Sequence, residues 1–292
     1  MKAITGKDIR AMRKLLRIIL LLVIAVMLPA ACRAGRSAML ETALSFLEET
    51  NPFLLHYNET EGTRFQARCP LGCPYFWGGR HVKSLLRVES PSHSSDYYHS
   101  DQKYLYGLDC SGFTLYIVQQ AGYEAHPKIS DLLNKSLYTE YALNRANRLT
   151  GEERASVLRT GDLLAIQHES GGFHIAMYCG TLADYGYTEE TLPEALVPYL
   201  RYPLLIHCTG SSDYHERYRE YLEALAMTDV IPPFGGVIVS ILDVPAEAAT
   251  SKTPDVEGLI SQPCFDLEGY HLQVTDLTLE KRSRWIRWRK RP

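Results

Sequence analysis

The sequence predicts an α+β fold in which helices pack on an antiparallel β-sheet. Two observations carry this. Apolar residues at helical spacing lie before residue 148, and four short β-rich runs follow one another after it. Those runs are "GDLLAIQ" (161–167), "FHIAMYC" (173–179), "PLLIHCT" (203–209) and "GGVIVSIL" (235–242). Helices first and adjacent strands afterwards favour antiparallel pairing over alternating βαβ units. At 292 residues, with 46% hydrophobic and 22% charged side chains, the chain has the composition of a globular protein able to bury a sizeable core.

The first element is a targeting segment. Basic residues up to Arg17 precede "IILLLVIAVML", 11 apolar residues, which is short for a membrane span. The small residues of "PAACRAG" follow. Residues 1–34 are therefore a signal peptide, with cleavage after Ala34, or an anchor. A lipid-modified Cys32 is the alternative, although Pro29 stands where a lipoprotein signal usually carries an aliphatic residue. In each case the body is extracytoplasmic, secreted or attached to the cell envelope.

The body, residues 35–245, opens with "SAMLETALSFLEETNPFLL", where Leu40, Ala43, Leu44 and Leu47 recur at helical spacing. Residues 56–74 are irregular. "PYFWGG" (74–79) joins aromatics to two glycines, a turn suited to close approach of backbone or substrate. Arg80 to Asp101 lacks a period and reads as a long surface loop. A helix then starts after Asp109, a good N-cap residue. Phe113, Tyr116, Ile117 and Ala121 form its stripe, and Gly122 ends it. Another helical region lies around 129–148, before the strands. Residues 246–263 resemble a linker, "YHLQVTDL" (270–277) adds strand pattern, and 246–292 forms a C-terminal extension with a basic tail.

Charge is unevenly spread. The formal net charge is −3, but residues 1–31 carry +5 and the last twelve residues carry +7, so residues 32–280 between them carry −15. An acidic body argues against nucleic acid as a partner. The Trp/Arg tail is either a binder of anionic wall polymer or membrane surface, or a terminal strand with exposed basic residues. Beyond Cys32 and Cys110 the cysteines are Cys69, Cys73, Cys179, Cys208 and Cys264. Export permits disulfides, and "CPLGC" (69–73) suits a local bridge. It also resembles half of a metal site, but no second pair with zinc-type spacing follows, so no metal and no cofactor are expected.

The chemistry centres on "DCSGF" (109–113). A helix N-terminus favours a thiolate and offers free N–H groups to an oxyanion, so Cys110 is a candidate nucleophile with a lowered pKa. Taken alone, a cysteine is as well explained as a small core residue. A nucleophile needs a base, and the base an orienting group. His174 begins an apolar strand and shares a face with Ala176 and Tyr178. His207 is the ionisable residue among the aliphatics of "LLIHCT", on a strand that can lie beside that of His174. His81, His93, His99, His168 and His215 fall in polar segments and read as surface groups.

The set resembles the NlpC/P60 family of papain-like cysteine peptidases. In that family an Asp-Cys-Ser-Gly motif opens a helix packed on an antiparallel sheet, a strand similar to "HIAMY" (174–178) supplies the base, and a third polar residue, usually His, follows. The resemblance implies a papain-like fold, with Cys110, His174 and His207 as the catalytic triad. "YFWGG" (75–79) is similar to the family's Tyr-x-Trp-Gly-Gly element, which implies that Tyr75 aids the oxyanion. Asp109 and Ser111 are candidates for holding a substrate amino terminus, and capping is the equal alternative for Asp109. Two insertions depart from the family's spacing, near 80–106 and near 180–202. The family mostly cleaves peptidoglycan stem peptides, typically between γ-D-glutamate and a diamino acid. The implied function is hydrolysis of that bond. The alternatives are an N-acetylmuramoyl-L-alanine amidase of the Cys-His type and a non-catalytic cell-wall-binding lipoprotein.

Overall fold

The computed structural model describes residues 38–48, 73–81, 88–91, 98–122, 141–167, 172–210, 226–233, 235–244 and 282–287. It also describes the backbone of strands within 265–277 and isolated positions near 55–64 and 219–223. The targeting segment, the linker and Cys32, Cys69 and Cys264 lie outside the described residues. Among the described residues, no helix is long and apolar enough to cross a membrane.

Helix α1 (Ala38–Ser45) buries Met39, Leu40, Ala43 and Leu44, the face expected from their spacing. Strands β1 (Val88–Glu89) and β2 (Lys103–Leu105) come next, then helix α2 (Cys110–Gln120). The short helices α3 (Tyr141–Ala146) and α4 (Gly151–Ala155) precede β3 (Leu163–Gln167), β4 (Phe173–Gly180) and β5 (Leu204–Gly210). Strands β6 (Val230–Ile231), β7 (Gly235–Leu242), β8 (Phe265–Leu267), β9 (Tyr270–Leu272), β10 (Val274–Leu277) and β11 (Arg282–Ile286) complete the order. The expected helical region at 129–148 is described only as α3, since 123–140 lie outside the described residues.

A six-stranded sheet in the order β10-β7-β5-β4-β3-β11 organises the molecule. Its pairings are antiparallel except for β10 with β7. Both faces are buried. Ile175, Met177, Leu204, Ile206 and Cys208 face a large core that also holds α1 and α2. Ala176, Tyr178, Leu205 and Leu242 face a smaller one with Leu143, Ala146 and Trp285. This double burial explains why the strands read as near-continuous apolar runs instead of alternating ones. Phe46 packs edge-on against Phe113 and Tyr116, at 5.1 and 5.4 Å between ring centroids, and so fixes α1 to α2. Burying a side chain of that size contributes about 1.5–3 kcal/mol.

The C-terminal segments form strands on both edges of this sheet. Residues 282–286 of the Trp/Arg tail pair with β3, and Trp285 is fully buried opposite Leu164. Just beyond, the Arg287 guanidinium donates to both carboxylate oxygens of Asp162, at 2.8 and 2.7 Å. Arg154 grips Asp243 in the same two-pronged way, at 2.6 and 2.9 Å.

The segment from Arg80 to Asp101 differs from the expected surface loop. Val88–Glu89 pairs with β2, which pairs in turn with β6, and Tyr98 is buried. A two-residue strand is too short to show a period, and its partners are distant in sequence. The insertion after β4 forms two 3₁₀ turns, Leu182–Tyr185 and Glu194–Tyr199, which place Leu182, Tyr185, Leu196 and Tyr199 in the large core. Thr181 opens the first as a capping box with Asp184.

Candidate active site

Asp109 is extended (φ −89°, ψ 179°) and caps α2. Its Oδ1 accepts from the Gly112 N–H at 2.7 Å and the Ser111 hydroxyl at 2.6 Å, while Oδ2 accepts from the Gly78 N–H at 3.1 Å. The Asp109 N–H donates to the Gly79 carbonyl at 2.8 Å. The cap therefore also clamps the Trp77–Gly79 turn onto the helix start. Only glycine fits at Gly112, because a Cβ there would lie 2.0 Å from the Gly79 carbonyl oxygen. Of the two readings of Asp109, capping is the one these bonds follow. Ser111 is engaged with the same carboxylate.

Cys110 is the first residue of α2 and 8% exposed. Its Sγ lies 3.9 Å from the Phe173 carbonyl oxygen and receives the Ile175 N–H. The position follows from the strand pairing. The β4–β5 ladder begins at Met177↔Ile206 and runs away from the site, past a bulge between Tyr178 and Gly180. The backbone of Phe173 and Ile175, which a continued ladder would have occupied, meets the sulfur instead. His174 is the residue between these two contacts.

The lowered thiol pKa expected from the helix N-terminus is not found. Burial, and then the neighbouring Asp109 carboxylate, push the Cys110 thiol up to about 12. Hydrogen bonds from the Ile175 and Ser111 backbone N–H groups work against this without reversing it. The resting sulfur is a thiol, and it needs a base at the moment of attack.

His174 and His207 are brought together as the strand pattern suggested. The Nε2 of His174 lies 2.8 Å from the Nδ1 of His207, with the rings crossed at 77°. Their common face follows from register, since Tyr178 pairs with Leu205 and each histidine lies an even number of residues away. His207 is buried, and desolvation, followed by the His174 charge, holds its pKa well below the usual value. A third polar group was missed in the sequence. The Ser240 hydroxyl on β7 lies 2.7 Å from His207 Nε2 and is fully buried. Its signal was the polar residue inside "GGVIVSIL", the same kind of signal that marked His207.

Tyr75 is placed by its backbone, whose N–H donates to the Gly235 carbonyl at 2.8 Å and which bridges to Leu108. Burial, and then the proximity of Cys110, raise its phenol far above the usual range, so it stays a hydroxyl donor. Tyr98, also missed, accepts the Trp77 N–H at 3.0 Å and packs on Phe76. The insertion that carries Tyr98 therefore supports the turn beside the thiol. Trp77, in the turn clamped to Asp109, and Phe173, whose carbonyl faces the Cys110 sulfur, are exposed at 59% and 38%. Cys73, Cys179 and Cys208 are buried free thiols, so Cys73 does not form the local bridge expected for "CPLGC". His81 and His99 are exposed, and His93, His168 and His215 lie outside the described residues. Among the described residues, no group of three or more His, Cys, Asp or Glu is arranged to hold a metal.

A cysteine at the start of a helix, packed on an antiparallel sheet that carries a histidine pair, is the architecture of papain-like proteins. The NlpC/P60 family model matches residues 72–184, and this match supports membership of the NlpC/P60 family. The matched segment holds Tyr75, Asp109, Cys110 and His174, and it ends before His207 and Ser240. No curated protein matches the chain. Members of the family are generally cysteine peptidases that act on peptidoglycan peptides of the cell wall.

Proposed function

We propose that the chain is an exported cysteine peptidase that hydrolyses the γ-D-glutamyl–diamino acid bond of peptidoglycan stem peptides. The observation that carries the reading is the meeting of three elements. The α2 start puts the Cys110 sulfur against the β4 backbone on either side of His174, and His174 is hydrogen-bonded to His207 at 2.8 Å. The match to the NlpC/P60 family model supplies the substrate class. The basic and apolar pattern of residues 1–34 supports export.

With Nε2 of His174 engaged by His207, Nδ1 is the nitrogen this reading assigns to the thiol proton. As sulfur attacks the substrate carbonyl carbon, Nδ1 takes the thiol proton, so the buried thiolate never accumulates. The carbonyl oxygen gathers negative charge, for which the Cys110 N–H and the Tyr75 hydroxyl are the candidate donors. Collapse breaks the C–N bond, and the leaving amine takes the proton from His174. Water then attacks the thioester, again losing a proton to His174, and the carboxylic acid and thiol are released.

The test is digestion of purified muropeptides by wild type and Cys110→Ala, read by mass spectrometry. Expected products are the two halves of the stem peptide, absent with Cys110→Ala. Undiminished cleavage by the variant would overturn the assignment of Cys110. Release of whole stem peptide from sugar would instead make the chain an amidase.

A further inference from the structure

We infer that Ser240 is a positioning residue of this site: by accepting a hydrogen bond from His207 it fixes the His207 tautomer, and through it the tautomer in which His174 can take a proton from Cys110. This rests on the cysteine–histidine reading above. The two bonds run in one line, His174 Nε2 to His207 Nδ1 at 2.8 Å and His207 Nε2 to Ser240 Oγ at 2.7 Å. They cross three adjacent strands, with Leu205 paired to Ser240 and His207 to Ile238.

Neutral imidazole has one N–H and one lone pair, so a histidine with both nitrogens engaged must donate on one side and accept on the other. Burial keeps His207 neutral, and the line therefore has two settings. In the first, His207 Nε2–H donates to Ser240, His207 Nδ1 accepts His174 Nε2–H, and His174 Nδ1 holds a lone pair for the thiol proton. In the second, the serine donates, both histidines reverse, and His174 Nδ1 already carries a hydrogen and cannot act as base. The first setting also suits the imidazolium formed after proton transfer, because that ion must donate from Nε2. An oxygen acceptor at Ser240 stabilises the first setting. A methyl group in its place leaves the buried His207 Nε2–H without its acceptor and so disfavours the first setting.

The experiment compares wild type, Ser240→Ala and Ser240→Thr as full chains. The readouts are muropeptide kinetics, alkylation of Cys110 by iodoacetamide at pH 7, and the ¹⁵N resonances of the His174 ring. Ser240→Ala is expected to lose roughly 100-fold in kcat, consistent with the loss of general-base action, with KM unchanged because Ser240 is fully buried. Alkylation slows in parallel, and His174 Nδ1 changes from lone-pair to N–H character. Ser240→Thr, which keeps the oxygen, restores both the rate and the resonance. Wild-type kcat in Ser240→Ala, or a lower kcat with the His174 tautomer unchanged, overturns the inference. If Ser240→Thr proves unfolded by thermal denaturation, the resonances of Ser240→Ala alone decide. If wild type cleaves no muropeptide, the substrate reading fails, and the resonances and the alkylation rate still decide the role of Ser240.

Discussion

The sheet buries polar groups in two contrasting ways. Around β4, β5 and β7, His174, His207 and Ser240 form a chain of hydrogen bonds in which the central ring is held neutral. At the β3–β11 edge, Asp162 and Arg287 form a two-pronged ion pair. The first array lies beside a strand opening that admits a sulfur. The second closes the sheet edge and touches no candidate chemistry. Neutral rings can exchange a proton with a neighbour at little electrostatic cost, whereas a matched carboxylate–guanidinium pair resists any change of charge. The contrast separates an array with the chemistry of the proposed site from a pair that holds the chain.

The comparison breaks most sharply on Cys110 and Arg287. Cys110→Ala should abolish muropeptide cleavage while leaving the thermal unfolding midpoint nearly unmoved, because one sulfur is lost and no buried charge is orphaned. Arg287→Met should do the reverse. It strands the Asp162 carboxylate, which is 1% exposed, and should destabilise by about 3–5 kcal/mol in urea titration. The folded fraction should retain its turnover. Equal stability losses for the two variants would erase the distinction.

Much of this site was legible in the sequence. Cys110, His174 and His207 stood out because each is a reactive residue set in an apolar helix or strand pattern. The central strands were legible because a sheet buried on both faces writes continuous apolar runs. What escaped depends on distant pairing. Ser240 is an ordinary buried serine until the register of β5 on β7 sets it diagonally across from His207. Asp162 and Arg287 lie 125 residues apart, and neither looks remarkable alone. The thiol pKa was misjudged because the helix N-terminus is visible in sequence, while the burial that outweighs it is not.

A smaller effect sharpens the neutral side of the comparison. Substituting His207→Asn keeps a hydrogen-bonding side chain and removes the titration. Because the folded pKa of His207 lies well below that of an unfolded histidine, near 6.5, the unfolded chain binds a proton that the folded chain does not. That contribution is fully present above about pH 6.5 and is lost as pH falls below it, at up to about 1.4 kcal/mol per pH unit. Urea midpoints measured from pH 7.5 to pH 4.5 should therefore fall more steeply for wild type than for His207→Asn. Parallel curves would mean that His207 takes up its proton in the fold, and the neutral relay would be refuted. The smallest change is expected at Lys103 and Asp229, an ion pair at 2.5 Å whose side chains are 55% and 66% exposed. Lys103→Met should leave the unfolding midpoint unchanged at physiological salt, since water and ions screen an exposed pair. A shift there as large as that of Arg287→Met would show that geometry, and not burial, decides which ion pairs hold this fold.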